Sequence, residues 1–250
     1  MARESLAQRR VRARAIEAAL AQAYPKSTTA LDHGSPFQLL VATVLSAQTT
    51  DVAVNHVTRA LFKRWPTPER LARAPPDAVA DTINSIGLWR AKAKNVRALA
   101  QMLVEEFGGE VPRTVQELTR LPGVGRKTST AVLGMAFGIA AGVTVDTHMV
   151  RINGLLKLTA GTDPVRIAKG LEALLPQETW TSYTHRVIDH GRLVCVARRP
   201  RCGACPIAGL CPSAFNPKVG YRPENDGKEP ASAKGLSWLR SGASPRGRLE

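Results

Sequence analysis

The sequence of residues 121–128 is Leu121-Pro122-Gly123-Val124-Gly125-Arg126-Lys127-Thr128. Its flanks predict a short helix over 114–120 and a second helix over 126–138, joined by a tight turn, which is a helix-hairpin-helix. Glycine has no Cβ to keep a phosphate away, and a turn before a helix N-terminus presents backbone N–H groups to an anion. We therefore expect Gly123, Val124 and Gly125 to bind a phosphate backbone without reading bases, although a lone G-x-G usually marks only a turn.

Two polar side chains flank the apolar helix that follows this hairpin. Lys127 lies in its first turn, where an amine can serve as a nucleophile that forms a Schiff base. A phosphate-binding lysine is equally compatible with the spacing. Asp146 lies beyond the helix and is, by itself, best interpreted as the cap of a helix that begins at residue 147. The alternative is a carboxylate that stabilises a cation or relays protons.

All four cysteines of the chain fall within 17 residues in the spacing C-x6-C-x2-C-x5-C, at Cys195, Cys202, Cys205 and Cys211. Thiols brought so close by the chain itself are typical of a metal site. Zinc ribbons usually present two C-x2-C pairs, whereas this compact run, with prolines after two of the cysteines, favours a 4Fe-4S cluster. Two disulfides are a further alternative, and the reducing compartment expected for this protein disfavours them.

Three arginines, Arg198, Arg199 and Arg201, lie between the first two cysteines. We call residues 196–201 the arginine loop. A loop held by a metal at both ends presents its guanidinium groups from a fixed base, and a guanidinium group can bind phosphate oxygens through two hydrogen bonds. We expect this loop to contact phosphates. The alternative is a solvated basic loop that offsets the negative charge of the cluster.

The 250 residues include 35 Lys and Arg against 20 Asp and Glu, a formal net charge of +15 that favours a polyanionic partner, with nucleic acid first. Eleven of the fifteen excess charges lie in the first 14 and the last 65 residues. The longest apolar run, residues 131–145, contains three glycines and is shorter than the ~20 residues of a membrane span, so no membrane partner is expected. The basic N-terminus lacks the apolar segment of a secretory signal, which favours a cytoplasmic location.

Apolar residues recur at helical spacing, as at Val54, Val57 and Leu61, and the sequence shows no long alternating runs of the kind found in strands. Prolines and glycines divide this pattern into segments of about 10 to 20 residues, which predicts an all-α fold. Beyond residue 218 the sequence is poor in apolar residues, and we expect a flexible tail over 218–250.

Five stretches of the chain resemble the endonuclease III branch of the helix-hairpin-helix DNA glycosylases, and the resemblance extends over about residues 30–215. The stretches are 45–51 (Leu-Ser-Ala-Gln-Thr-Thr-Asp), 86–88 (Ile-Gly-Leu), 121–128, 145–148 (Val-Asp-Thr-His) and the cysteine cluster. None of them is sufficient alone. Together they are highly specific.

The resemblance implies two helical domains that flank a DNA-binding cleft. A six-helix bundle with the helix-hairpin-helix would span 30–142, and a helical domain with the 4Fe-4S cluster would span 143–217 and pack with the basic helix of residues 1–29. The family acts on double-stranded DNA that contains damaged pyrimidines or abasic sites. We expect the same partner for this chain, which would act as a monomer in the cytoplasm, with the nucleoid if it is bacterial.

The resemblance also implies an activity and the residues that carry it. Lys127 occupies the position of a nucleophile that attacks C1′ of an oxidised pyrimidine nucleotide flipped out of the duplex, and Asp146 that of its carboxylate partner. The base leaves, and β-elimination then cuts the strand on the 3′ side. Gln48 and Leu88 occupy the positions that fill the gap and wedge the opposite strand. The implied enzyme is a bifunctional DNA glycosylase/AP lyase of base excision repair.

Two other functions are compatible with parts of the sequence. A monofunctional mismatch glycosylase can carry the same cluster and hairpin, but such enzymes usually lack the equivalent of Lys127, and Thr43 stands where adenine-specific members carry a catalytic glutamate. A non-enzymatic DNA-binding protein could use an iron–sulfur cluster as a redox sensor. In that case Lys127 and Asp146 would be idle.

Overall fold

The computed structural model describes residues 4–228, in which eleven α-helices and no strands occur. The predicted all-α fold is confirmed. No helix in this part of the chain is long and apolar enough to cross a membrane. The helices are α1 (Leu6–Ala23), α2 (Pro36–Leu45), α3 (Asp51–Arg64), α4 (Pro68–Ala72), α5 (Pro76–Thr82), α6 (Trp89–Phe107), α7 (Val115–Leu118), α8 (Arg126–Phe137), α9 (Thr147–Leu155), α10 (Pro164–Glu172) and α11 (Trp180–Leu193).

The described residues divide into two compact units. The central unit, residues 29–141, contains α2 to α8 and is contiguous in sequence. Its core joins fully buried side chains from several helices, such as Leu40, Leu61, Leu99 and Val132. These positions follow the helical spacing seen in the sequence, because one apolar face of each helix packs inward.

The helices of the central unit begin where local capping chemistry places them. Ser35, Thr50, Thr67 and Thr114 precede α2, α3, α4 and α7, and each side-chain oxygen accepts a hydrogen bond from a backbone N–H of the first turn. Proline occupies an early position of α2, α4 and α5, where its missing N–H costs no hydrogen bond.

The second unit combines the two ends of the described chain, residues 4–28 and 142–228. It contains α1 together with α9, α10 and α11, and the cysteines follow α11 in a loop with short 3₁₀ turns. Ile16 and Leu20 of α1 are fully buried in the same core as Met149 of α9 and Val187 of α11. The N-terminal helix is therefore part of the unit that carries the cysteines.

The basic start of the chain takes part in this packing. Arg12 donates hydrogen bonds from Nη1 to Leu156 O (2.7 Å) and Leu210 O (3.3 Å). The same guanidinium group hydrogen-bonds to Glu4 and lowers the pKa of that carboxyl to about 2. At least this arginine among the N-terminal basic residues therefore stabilises the fold.

The flexible tail was predicted to begin at residue 218, and the structure corrects this start. Two further 3₁₀ turns, Pro217–Val219 and Pro223–Asn225, continue the fold, and Asn225 is buried. Hydrogen bonds and close backbone contact hold most of residues 218–228, so composition does not reveal them. The rest of the predicted tail, residues 229–250, lies outside the described residues.

Candidate active site and iron–sulfur site

The helix-hairpin-helix forms as predicted, from α7, a turn and α8. Gly123 has a φ of +78°, and a Cβ there would lie 3.1 Å from Asn95, so the turn favours glycine on both grounds. Gly125 has a negative φ, and a Cβ there would meet no protein atom within 4 Å. The space beside Gly125 is open to an approaching group. The Val124 side chain is instead buried, and its N–H donates to Leu121 O (3.1 Å).

Lys127 is the second residue of α8 and is exposed. Gly125 precedes the helix, and no side chain caps it there. The first turn is held by its own side chains, since Ser129 Oγ donates to Gly125 O (3.0 Å) and Thr130 Oγ1 donates to Arg126 O (2.9 Å). The lysine is thus carried on a well-ordered helix end at which backbone N–H groups point outward.

Asp146 is the N-cap of α9, as one interpretation of the sequence predicted. It has an extended backbone, and its Oδ1 accepts a hydrogen bond from Met149 N (2.8 Å). The side chain is half-buried. The cap fixes the carboxylate at the start of α9, and capping does not exclude a chemical role.

Gln48 and Leu88 share an uncommon backbone conformation. Both have left-handed φ angles, +54° and +58°, which residues other than glycine rarely adopt. Gln48 is exposed in the turn between α2 and α3, and Leu88 directly precedes α6 with 62% of its surface exposed. The exposure of Leu88 is compatible with the wedge position that the resemblance implies. Such strain often marks functional sites, and packing does not account for an apolar side chain held outward in this way.

A buried lysine that the sequence did not reveal joins these two turns. Lys92 of α6 is 5% exposed, and its Nζ donates a hydrogen bond to Thr49 Oγ1 (2.7 Å), next to Gln48. Its backbone N–H donates to Leu88 O (3.0 Å). Burial lowers the pKa of Lys92. One residue therefore contacts the turns that carry Gln48 and Leu88.

Replacing Thr49 by Val is expected to lower the free energy of unfolding by about 1–3 kcal/mol, because the buried Lys92 ammonium group loses its partner. In a Lys92→Met background the same replacement is expected to cost less than about 0.5 kcal/mol, since no ammonium group remains. Chemical denaturation of the four proteins gives the coupling energy of the pair. Equal costs in the two backgrounds would contradict this pairing.

The four cysteines line one cavity in the second unit, beside the loop that follows α11. All four are free thiols, and the rest of the lining is mainly apolar. Among the described residues, no three His, Cys, Asp or Glu side chains are arranged to bind a single metal ion. Thiols placed around a cavity fit a 4Fe-4S cluster, in which each iron takes one thiolate, better than a tetrahedral zinc ion.

Polar side chains from α9 and α11 lie beside two of these thiols. Arg151 of α9 places Nη1 3.6 Å from Cys195 Sγ, and His190 of α11 places Nε2 3.7 Å from Cys205 Sγ. Burial lowers the pKa of His190 to about 4, and its Nδ1 lies 3.0 Å from Tyr24 Oη. A neutral ring that accepts from tyrosine at Nδ1 keeps its proton on Nε2, toward the sulfur. Donors of this kind stabilise thiolate ligands.

The protein environment of the thiols favours their neutral form. Burial raises the pKa of Cys205 to about 12 and raises the pKa values of Cys195 and Cys211. Ligation of iron by these thiols therefore releases protons.

The arginine loop differs in part from expectation. Arg198 and Arg199 are exposed, and Arg198 has a left-handed φ of +65°. Arg201 is half-buried, and its guanidinium group donates to Asp226 O (2.9 Å) and Leu193 O (3.4 Å). The phosphate contact of Arg201 stays a prediction, and three of its five N–H groups already donate to carbonyl oxygens of its own chain.

The stretch 150–155 of α9 contains two polar side chains with different surroundings. Arg151 faces Cys195, whereas Asn153 is fully buried and accepts a hydrogen bond from Tyr183 Oη (2.7 Å). Residues two positions apart do not face each other on a helix, so Arg151 and Asn153 lie on different sides of α9. Cys195 and Tyr183 lie 44 and 30 residues away from these two side chains along the chain, where no local pattern indicates them.

Known proteins match this chain over most of its length. The model of the HhH-GPD superfamily base excision DNA repair proteins matches residues 41–177, and that of the iron–sulfur binding domain of endonuclease III matches residues 195–211. Endonuclease III from Synechocystis sp. is 50% identical over 209 residues, which cover 84% of this chain and 95% of the relative. Endonuclease III from Escherichia coli strain K12 is 41% identical over 187 residues, which cover 75% and 88%.

Solved structures give the same assignment. A trapped endonuclease III–DNA covalent intermediate and a non-covalent endonuclease III–DNA complex each superpose with a TM-score of 0.76 at 39% identity. Each alignment covers 82% of this chain and 96% of the other. By sequence, by fold and by its cysteine cluster, the chain belongs to the endonuclease III family of the HhH-GPD superfamily.

Proposed function

We propose that Lys127 is the nucleophile and Asp146 the carboxylate of a bifunctional DNA glycosylase/AP lyase of base excision repair. The activity is that of the endonuclease III family, to which the chain belongs. The observation that carries the residue assignment is the exposed lysine on the first turn of α8, directly after a glycine turn with open space at Gly125. Its substrate is duplex DNA with an oxidised pyrimidine or an abasic site.

The proposed reaction balances with these two side chains. The Lys127 amine forms a bond to C1′, the C1′–N bond to the base breaks, and the base departs with the electron pair and a proton. The C1′–O4′ bond then breaks, O4′ takes a proton, and the nitrogen electron pair forms the imine, which acidifies the C2′ proton. Removal of that proton forms a C2′–C3′ double bond, breaks the C3′–O bond and releases the 3′ phosphate, which cuts the strand. Asp146 stabilises the cationic sugar or relays these protons.

DNA is held in this proposal by groups that carry no sequence information. N–H groups of the hairpin glycines and of the α8 N-terminus face one phosphate, and Arg198 and Arg199 contact others. Gln48 fills the space left by the flipped nucleotide, and Leu88 wedges the opposite strand, for which its exposed left-handed position is suited.

The 4Fe-4S cluster has a structural role in this scheme. Cys195, Cys202, Cys205 and Cys211 would hold it, and when bound it supplies iron–thiolate bonds that fix both ends of the arginine loop. Arg151 and His190 donate toward two of its sulfur ligands. We also propose that the protein acts as a monomer in the cytoplasm, at the nucleoid of a bacterium.

Borohydride trapping tests the proposed reaction. The wild-type protein is mixed with duplex DNA that contains thymine glycol, and the reducing agent converts an imine to a stable covalent adduct. An adduct on damaged but not on undamaged DNA is expected. Base release without any adduct would instead support a monofunctional glycosylase, and binding without base release would support a non-enzymatic protein.

Replacing Arg198 and Arg199 together by Ala should weaken binding to damaged and undamaged DNA alike. The slope of log affinity against log salt should flatten by about two units, close to one for each lost phosphate contact. Replacing exposed Arg166 and Lys169 of α10 removes the same charge elsewhere on this unit and serves as the control. An unaltered slope in the loop variant would rule out these phosphate contacts.

A further inference from the structure

Residues 216–228 fold back onto the cysteine loop, and we call them the C-terminal clasp. Asp226 is their main anchor, because all three of its oxygens accept hydrogen bonds. Its Oδ1 accepts from Gly203 N (3.0 Å), its Oδ2 from Tyr221 Oη (3.0 Å), and its backbone oxygen from Arg201 Nη2 (2.9 Å). Gly203 lies between two of the cluster cysteines, so the anchor reaches the metal site directly.

Glycines permit this close approach at two points. Gly220 of the clasp has a φ of +91°, and a Cβ there would overlap the backbone carbonyl of Arg198. A Cβ on Gly203 would overlap the Asp226 carboxylate. A side chain at either position must displace its neighbour or strain the backbone, so the two segments are fitted to each other.

The clasp also makes contacts within itself and with Phe215, the residue before it. Tyr221 packs edge-on against Phe215, with ring centroids 5.3 Å apart. Buried Asn225 donates from Nδ2 to Gly220 O (3.3 Å). Val219 lines the same cavity as the four cysteines, so the clasp forms part of its wall.

This segment follows the part of the chain that the family models match. The iron–sulfur binding domain of endonuclease III matches residues 195–211, and the clasp begins five residues later. We propose that the clasp closes the cluster cavity and limits the loss of iron, with Asp226 as the positioning residue that holds it on the Cys202–Cys205 segment. The proposal deepens the role given above to the cysteine site and does not depend on Lys127 or Asp146.

The clasp would retain iron in two ways. Without the Asp226 carboxylate, the N–H of Gly203 and the hydroxyl group of Tyr221 lose their acceptors, and the backbone between the cysteines is held by fewer bonds. Without the Val219 wall, water and chelators reach the cavity. Groups that orient metal ligands commonly change metal retention by about 10–100-fold when they are removed.

Iron release from the full-length holoprotein tests the proposal. An iron chelator is added under anaerobic conditions, and the rate of iron transfer is followed by absorbance. Asp226→Ala is expected to release iron about tenfold faster than wild type. Gly220→Ala is expected to do the same, because it disrupts the clasp at its other end. A wild-type rate in either variant would overturn the proposal.

Two further variants separate positioning from general stability. Asp226→Asn keeps an Oδ1 acceptor for Gly203 and is expected to restore slow release to within about twofold of wild type. Glu224→Ala removes an exposed carboxylate of the same turn and is expected to leave the rate unchanged. Fast release in either of these two would overturn the assignment to Asp226. The assay contains no DNA, so its outcome is independent of the borohydride experiment.

Discussion

Replacing Lys127 by Ala is expected to abolish the borohydride-trapped adduct and to reduce strand cleavage by more than about 10³-fold, because no other amine occupies its position. Lys127 is exposed on the first turn of α8, so its removal opens no cavity and the fold should be retained. The measurement is the fraction of damaged duplex carried into a covalent complex. An undiminished adduct would remove Lys127 from the mechanism.

Lys127→Arg is the matched variant that separates nucleophile from phosphate ligand. Arginine keeps the positive charge at the same helix position, but its guanidinium group stays protonated and forms no imine. DNA affinity near that of wild type together with no adduct would establish the chemical role. A variant that retained strand cleavage would return Lys127 to the phosphate-binding interpretation.

Replacing Asp146 by Asn is expected to lower turnover by about 10²–10⁴-fold with DNA affinity close to wild type. Asparagine caps helices as well as aspartate does, so the hydrogen bond from Met149 N should survive and α9 should begin at the same residue. Only the negative charge is lost. Single-turnover base release on thymine glycol DNA measures the effect.

Asp163→Asn provides the control for this charge removal. Asp163 caps α10 in the same way, through a hydrogen bond from Val165 N (2.9 Å), and belongs to the same unit. Wild-type turnover is expected for Asp163→Asn. If Asp146→Asn also turned over at the wild-type rate, Asp146 would be a cap and nothing more.

The helices were predictable because their ends are set by neighbouring residues. Ser35 before Pro36 and Thr114 before Val115 cap their own helices, and the glycines of the hairpin mark the turn between α7 and α8. Such signals act over three or four residues, which a sequence displays directly. The capping role of Asp146 was visible for the same reason.

The contacts that the sequence did not reveal join distant residues. Lys92 meets Thr49 across 43 positions, and Arg151 meets Cys195 across 44. Arg201 is of the same residue type as exposed Arg199, but its guanidinium group donates to the carbonyl of Asp226, 25 residues away, and to that of Leu193. Residue type and sequence spacing do not indicate such a partner.

Sequence separation within the second unit bears on the order in which the protein folds during synthesis. Arg12 contacts Leu210, 198 residues later, and Tyr24 contacts His190, 166 residues later, whereas residues 29–141 form one contiguous unit. At about 5–20 residues per second, α1 waits roughly 10–40 s on the ribosome for the cysteine loop that it packs against. All residues of the central unit are synthesised before the cysteine loop. Packing of the second unit therefore begins only after the whole central unit has been synthesised.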